Sequence, residues 1–152
     1  MLVYPDWENE DMPDRKIWVL VVDDNLVVRK TTGKLLRKEG FEIILAEDGE
    51  EAMGLIELCT PDCIVLDLLM PKVHGHGFLT WLRKKNKTLP VIVVSGIEQQ
   101  SGLVSAIESL GIAGWVSKPG NPKEVAKMIR KAVKPNKEQP ASANLKTTTR
   151  DN

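Results

Sequence analysis

The stretch Ile17-Trp18-Val19-Leu20-Val21-Val22-Asp23-Asp24-Asn25 (IWVLVVDDN) decides the fold. Six apolar residues run without alternation, the pattern of a strand covered on both faces, as in a parallel sheet. The run stops on two carboxylates. Working outward, Cys63–Leu66 (CIVL) stops on Asp67, and Val91–Val94 (VIVV) stops on Ser95-Gly96. Two weaker strands are expected at Phe41–Leu45 (FEIIL), before Ala46-Glu47, and at Gly114–Val116, before Ser117-Lys118-Pro119.

Helical periodicity fills the gaps. Asn25–Glu39 places Val28, Thr32, Leu35 and Leu36 on one face and stops at Gly40. Asp48–Cys59 carries Ala52, Leu55 and Ile56, with Pro61 just beyond its end. His76–Asn86 carries Phe78, Leu79 and Leu82; Gln99–Leu110 carries Leu103, Ala106, Ile107 and Leu110. Pro122–Val133 carries Val125, Met128, Ile129 and Val133, and its leading proline sits where a missing N–H costs little. Strand and helix thus alternate five times at roughly the spacing a βαβ crossover requires. Right-handed crossovers then give an α/β fold, a doubly wound five-stranded parallel sheet with helices on both faces.

Composition narrows the function classes. The chain is 42% hydrophobic and 28% charged, a globular balance. Lysines plus arginines equal aspartates plus glutamates at 21 each, which argues against a broad electrostatic grip on nucleic acid or lipid. The acidic, polar N-terminal residues 1–15 lack a signal-peptide pattern and are expected to be an extension. No apolar run approaches the ~20 residues of a membrane span. We therefore expect a cytoplasmic protein. Residues 16–134 form the folded domain, and the polar residues 135–152 a flexible C-terminal tail or linker. Cys59 and Cys63 are expected to be buried free thiols, and His74 and His76 exposed loop residues; the spacing of these four matches no zinc motif.

In open α/β sheets, chemistry gathers beyond the carboxyl ends of the strands. Asp23, Asp24, Asp67, Ser95 and Lys118 all follow strands, so three carboxylates, a hydroxyl and an ammonium are expected on one sheet edge. Crowded carboxylates repel, and a divalent cation removes the conflict; an all-oxygen donor set suits Mg²⁺. One carboxylate can then stay ionised as a nucleophile toward phosphorus, with Lys118 and the Ser95 hydroxyl meeting the phosphoryl oxygens.

These residues resemble a family, the receiver domains of two-component response regulators. The resemblance covers Lys16 to Lys134 and rests on VVDDN at Val21–Asn25, LDLLMPKVHG at Leu66–Gly75, VSG at Val94–Gly96 and KP at Lys118–Pro119. It implies the flavodoxin-like strand order 2-1-3-4-5. It also implies Asp67 as phosphoacceptor, Asp24 as a direct Mg²⁺ ligand, Asp23 as a ligand through water, and the backbone carbonyl of Leu69 as a further metal oxygen. Ser95 and Lys118 take the roles argued above, and the Lys118–Pro119 peptide is expected to be cis.

The resemblance further implies a switch made by Ser95 and the aromatic residue three positions before the lysine, here Trp115. An indole is bulkier than the usual tyrosine or phenylalanine and offers only an N–H. Switching and simple packing at the sheet edge both stand as readings of it. Leu69 and Ile97 are apolar where water would approach the acyl phosphate, and we expect them to slow its hydrolysis.

The implied partners are a sensor histidine kinase or phosphotransfer protein as donor and a downstream protein as target. Direct nucleic-acid contact and membrane contact are not expected, and the chain should be a monomer or weak dimer. The implied activity is its own phosphorylation and dephosphorylation, not turnover of a substrate. A phosphorelay intermediate would look the same in sequence. An aspartate-nucleophile phosphatase fits poorly, because the position two after the nucleophile is Leu69 rather than a general acid. The 18 residues after Lys134 are too few for an output domain, so the chain is expected to be a stand-alone receiver or a piece of a longer regulator.

Overall fold

A computed structural model describes residues 15–70, 74–97 and 102–133. The described fold runs as β1 Trp18–Val22, α1 Leu26–Lys38, β2 Glu42–Ala46, α2 Gly49–Leu58, β3 Cys63–Leu66, α3 Gly75–Lys85, β4 Val91–Ser95, α4 Gly102–Ser109, β5 Gly114–Ser117 and α5 Pro122–Val133. Residues 1–14 of the expected extension and the whole expected tail lie outside the described residues, as do the first residues expected for the fourth helix and Pro71–Val73 of the loop after Asp67.

All four strand pairings are parallel and the order is β2-β1-β3-β4-β5, the doubly wound arrangement expected. Alternate residues of each strand serve opposite faces. Leu20, Val22, Ile64, Leu66, Val91 and Val93 pack with Ala52 of α2, Phe78, Leu79 and Leu82 of α3 and Ile107 of α4. Val19, Val21, Val65, Ile92 and Val116 pack on the other side with Leu36 of α1 and Val125, Ala126 and Ile129 of α5. β1 and β3 are central and buried on both faces, which is why their sequences show no polar alternation.

Local signals set the ends of the helices. The Asn25 side chain caps α1 by accepting from Val28 N–H at 3.1 Å, and Asp48 caps α2 by accepting from Glu51 N–H at 2.8 Å. Gly40 follows α1 with φ +99°, a left-handed position open to glycine. Within α1 the fully buried residues are Gly33 and, from the expected face, Leu36. A Cβ on Gly33 would lie 3.0 Å from Leu45 Cδ2, so the missing side chain is what lets α1 settle against β2. Val28, Thr32 and Leu35, the rest of that face, are half-buried and line a cleft of about 530 Å³ between α1 and the start of α5.

Both cysteines are free: Cys63 is buried as expected, whereas Cys59 at the end of α2 is only half-buried. His74 is the N-cap of α3 and His76 lies in its first turn, both exposed; the helix therefore begins at Gly75, one residue before the expected start, and His76 is helical rather than in the loop. Among the described residues, no helix is long and apolar enough to cross a membrane.

Candidate functional site

Register brings the site together. Val22 pairs with Leu66, so Asp23 and Asp67 leave adjacent central strands at the same level. Both are buried, at 4% exposure each, whereas Asp24 is exposed; the sequence could not tell which of the two neighbouring aspartates turns inward. One carboxylate oxygen from each of Asp23, Asp24 and Asp67 lies within 4.8 Å of the others, and theirs is the cluster of possible metal donors among the described residues. The histidines and cysteines do not join any such cluster there.

Each buried carboxylate is held. Asp67 Oδ1 accepts from Leu69 N–H at 3.2 Å, and its own N–H donates to Val22 O at 2.9 Å. Asp23 Oδ1 accepts from Asn25 N–H at 2.9 Å. The Lys118 ammonium sits between them, 3.1 Å from Asp23 Oδ2 and 3.3 Å from Asp67 Oδ2. Burial raises the Asp67 carboxyl above its ordinary range and Asp23 adds to this, although Lys118 and Leu69 N–H pull the other way. Burial also opposes the charge on Lys118, but the Asp23 and Asp67 carboxylates outweigh it and hold that ammonium above the usual lysine value. Three carboxylates face one ammonium, a formal excess of two negative charges on oxygen donors.

Ser95 ends β4 fully buried. Its hydroxyl oxygen accepts from Ile97 N–H at 3.3 Å, and its carbonyl accepts from Lys118 N–H at 3.0 Å, which ties the ends of β4 and β5 together. The Lys118–Pro119 peptide is cis, as the resemblance implied. Leu69 is 57% exposed beside Asp67, and Ile97 is half-buried against the core. Trp115 sits in β5, also half-buried against the core, and its indole N–H is buried without a hydrogen-bond partner among the described residues.

Two residues to which the sequence alone assigned no role support this site. Gly75 opens α3 and donates its N–H to Leu68 O at 3.2 Å; a Cβ there would lie 2.6 Å from Leu68 Cα and 2.8 Å from Asp67 O. Arg29 donates from Nη1 to the Asp23 carbonyl at 2.8 Å. Arg29 looks like any surface base in a helical pattern, and nothing local marks it. Gly75 stands in a glycine-containing loop where any glycine reads as a turn.

A family model for the response regulator receiver domain matches residues 19–130. The chain belongs to that family. Among curated relatives, the probable transcriptional regulator ycf27 of Cyanophora paradoxa is 37% identical over 112 residues, 74% of this chain and 46% of that protein. The alkaline phosphatase synthesis transcriptional regulatory protein PhoP of Bacillus subtilis is 32% identical over 112 residues, 74% of this chain and 46% of that protein. The receiver domain therefore spans about half the length of the curated relatives it matches. Among solved structures, chemotaxis protein CheY4 of Vibrio cholerae superposes with a TM-score of 0.72 at 28% identity, over 77% of this chain and 98% of that one.

Proposed function

We propose that this receiver domain takes a phosphoryl group onto Asp67 from a sensor histidine kinase or phosphotransfer protein, with Mg²⁺ held by Asp23, Asp24, Asp67 and the Leu69 carbonyl. The observation that carries the reading is the Lys118 ammonium set between two buried carboxylates, 3.1 and 3.3 Å away, with Asp24 completing the acidic group. The donor chemistry fits the ion: oxygen ligands only, few of them, and one side open to solvent at Asp24. When bound, the ion offsets charge on the transferring phosphoryl oxygens and on the acidic cluster itself.

The residues of the chain then divide the work. An Asp67 oxygen attacks phosphorus; the new P–O bond forms as the P–N bond to the donor imidazole breaks, and the leaving imidazole recovers a proton. Lys118 supplies a fixed positive charge to the phosphoryl oxygens. Ser95 already uses its oxygen as acceptor for Ile97 N–H, so its proton is the donor offered to a phosphoryl oxygen. Because Ser95 and Lys118 share a backbone hydrogen bond, movement of Ser95 toward a phosphoryl group reaches β5 and Trp115. The surface from Ile97 to Val133 would then present a changed face to a downstream protein, without direct contact to nucleic acid. On this reading the domain is a cytoplasmic signalling switch, a monomer or weak dimer, not a turnover enzyme.

The test is incubation with acetyl phosphate and Mg²⁺ followed by intact mass measurement. A gain of one phosphoryl group is expected, lost in Asp67→Asn and on chelation. Continuous phosphate release from many monoesters would instead mark a phosphatase.

A further inference from the structure

We infer that Arg29 is a positioning residue for the proposed Mg²⁺ site, acting through the peptide that joins Asp23 to Asp24. The inference rests on the metal reading above and goes beyond it, since Arg29 touches neither the ion nor the phosphoryl group.

Every polar group of Asp23 is engaged. Its N–H donates to Ala46 O at 3.2 Å, and its carboxylate accepts from Asn25 N–H and Lys118. Its carbonyl accepts from the half-buried Arg29 guanidinium at 2.8 Å. Arg29 stands one turn into α1, and its N–H makes an ordinary helical bond to Asn25 O at 2.8 Å. From there the side chain reaches back over the turn that the Asn25 cap has just closed.

The Asp23 carbonyl and the Asp24 N–H belong to one planar peptide. Holding the carbonyl therefore fixes the rotation of that plane and the direction of the Asp24 N–Cα bond, which narrows the directions in which the Asp24 side chain can leave the backbone. Asp24 needs such a constraint more than its neighbours do. Asp23 and Asp67 are walled in by packing, but Asp24 is exposed and yet keeps a carboxylate oxygen within 4.8 Å of both. A guanidinium suits the task, because it stays charged and presents planar donors at the end of a long stem.

Two effects of Arg29 have opposite signs, and this makes the inference decidable. As a bare positive charge near the acidic group, Arg29 repels a dication, so removing it would tighten Mg²⁺ binding. As a brace for the turn, it preorganises the ligands, so removing it would weaken binding. Loss of an outer-shell partner typically costs about 10–100-fold in metal affinity or activity.

The experiment is calorimetric titration of Mg²⁺ into the wild-type chain, Arg29→Gln and Arg29→Lys, paired with acetyl phosphate labelling across Mg²⁺ concentrations. We expect Arg29→Gln to weaken Mg²⁺ binding about tenfold, with the labelling rate returning close to wild type once Mg²⁺ saturates. Arg29→Lys, which keeps the charge but shortens the reach and loses the fork, should also bind Mg²⁺ less tightly than wild type; it serves alone if circular dichroism shows that Arg29→Gln does not fold. Unchanged or tighter Mg²⁺ binding in the folded variants overturns the inference. A labelling rate that stays low at saturating Mg²⁺ also overturns it, since the defect would then lie outside the metal site. A wild-type chain that binds no Mg²⁺ would instead sink the site reading beneath it.

Discussion

Replacing Gly75 with alanine adds one methyl group against the backbone of Asp67, the proposed phosphoacceptor, and of Leu68. The new Cβ would sit 2.6 Å from Leu68 Cα, 2.8 Å from Asp67 O and 2.9 Å from Leu68 Cδ2. Carbon atoms settle at about 3.5–4.0 Å, so the shortfall at Leu68 Cα is on the order of 1 Å. Two of the three obstructing atoms are backbone, and no rotamer change can relieve them; the start of α3 or the Asp67–Leu68 segment must move. Overpacking typically costs about 1–3 kcal/mol, and a backbone clash belongs at the upper end. Alanine in a helix recovers up to ~1 kcal/mol relative to glycine. The net loss is then about 2 kcal/mol, read as a lower urea midpoint with the slope unchanged.

Function should suffer more than stability in the same variant. A displacement of ~1 Å in a reacting group can cost about 100-fold in rate, so acetyl phosphate labelling of Asp67 should slow by about that factor. Gly54→Ala in α2 is the control, since a Cβ there meets nothing within 4 Å; it should raise stability by up to ~1 kcal/mol and leave labelling unchanged. A Gly75→Ala chain with the wild-type midpoint and labelling rate would refute the reasoning.

Lys118→Met leaves the buried Asp23 and Asp67 carboxylates without their shared cation. In chelator its unfolding free energy, read from urea denaturation, should fall by about 2 kcal/mol, discounted from a fully buried pair because the lysine is 28% exposed, and adding Asp67→Asn should recover part of the loss. Iodoacetamide at neutral pH should modify Cys59 and spare Cys63, whose thiol burial pushes up to about 12; a doubly modified native chain counts against the packing described. Leu69→Asn puts a polar group in place of a 57% exposed apolar side chain beside Asp67, and the acyl phosphate should hydrolyse faster than in wild type; a wild-type half-life of only seconds would contradict the shielding role of Leu69 and Ile97.

The parts of the fold that were readable in advance are those whose burial is symmetric. β1, β3 and β4 carry apolar runs because both faces of the sheet are covered, and such runs need no knowledge of the partner strand. The inward face of α1 was legible from its apolar spacing, but not its closest approach to the sheet, which depends on Gly33 fitting against Leu45, a contact between distant parts of the chain. α4 likewise buries Val104 as well as Ile107, whereas Leu103 remains half-buried. The charged residues of the site were legible because all of them follow strands, and strand ends converge in this topology. What stayed hidden was the support: which aspartate turns inward, the approach of Gly75, and the reach of Arg29. Each depends on distances that residue types do not encode.

The central claim is that phosphoryl transfer ends on Asp67 and depends on a dication at the acidic cluster. Borohydride reduction of acetyl phosphate-treated protein, followed by peptide mapping, tests it directly, because an aspartyl phosphate is reduced to homoserine at the modified position. We predict homoserine at position 67 in the presence of Mg²⁺ and none after chelation or in Asp24→Asn at low Mg²⁺. Modification at another residue, or labelling of Asp67 that persists undiminished in chelator, would contradict the account.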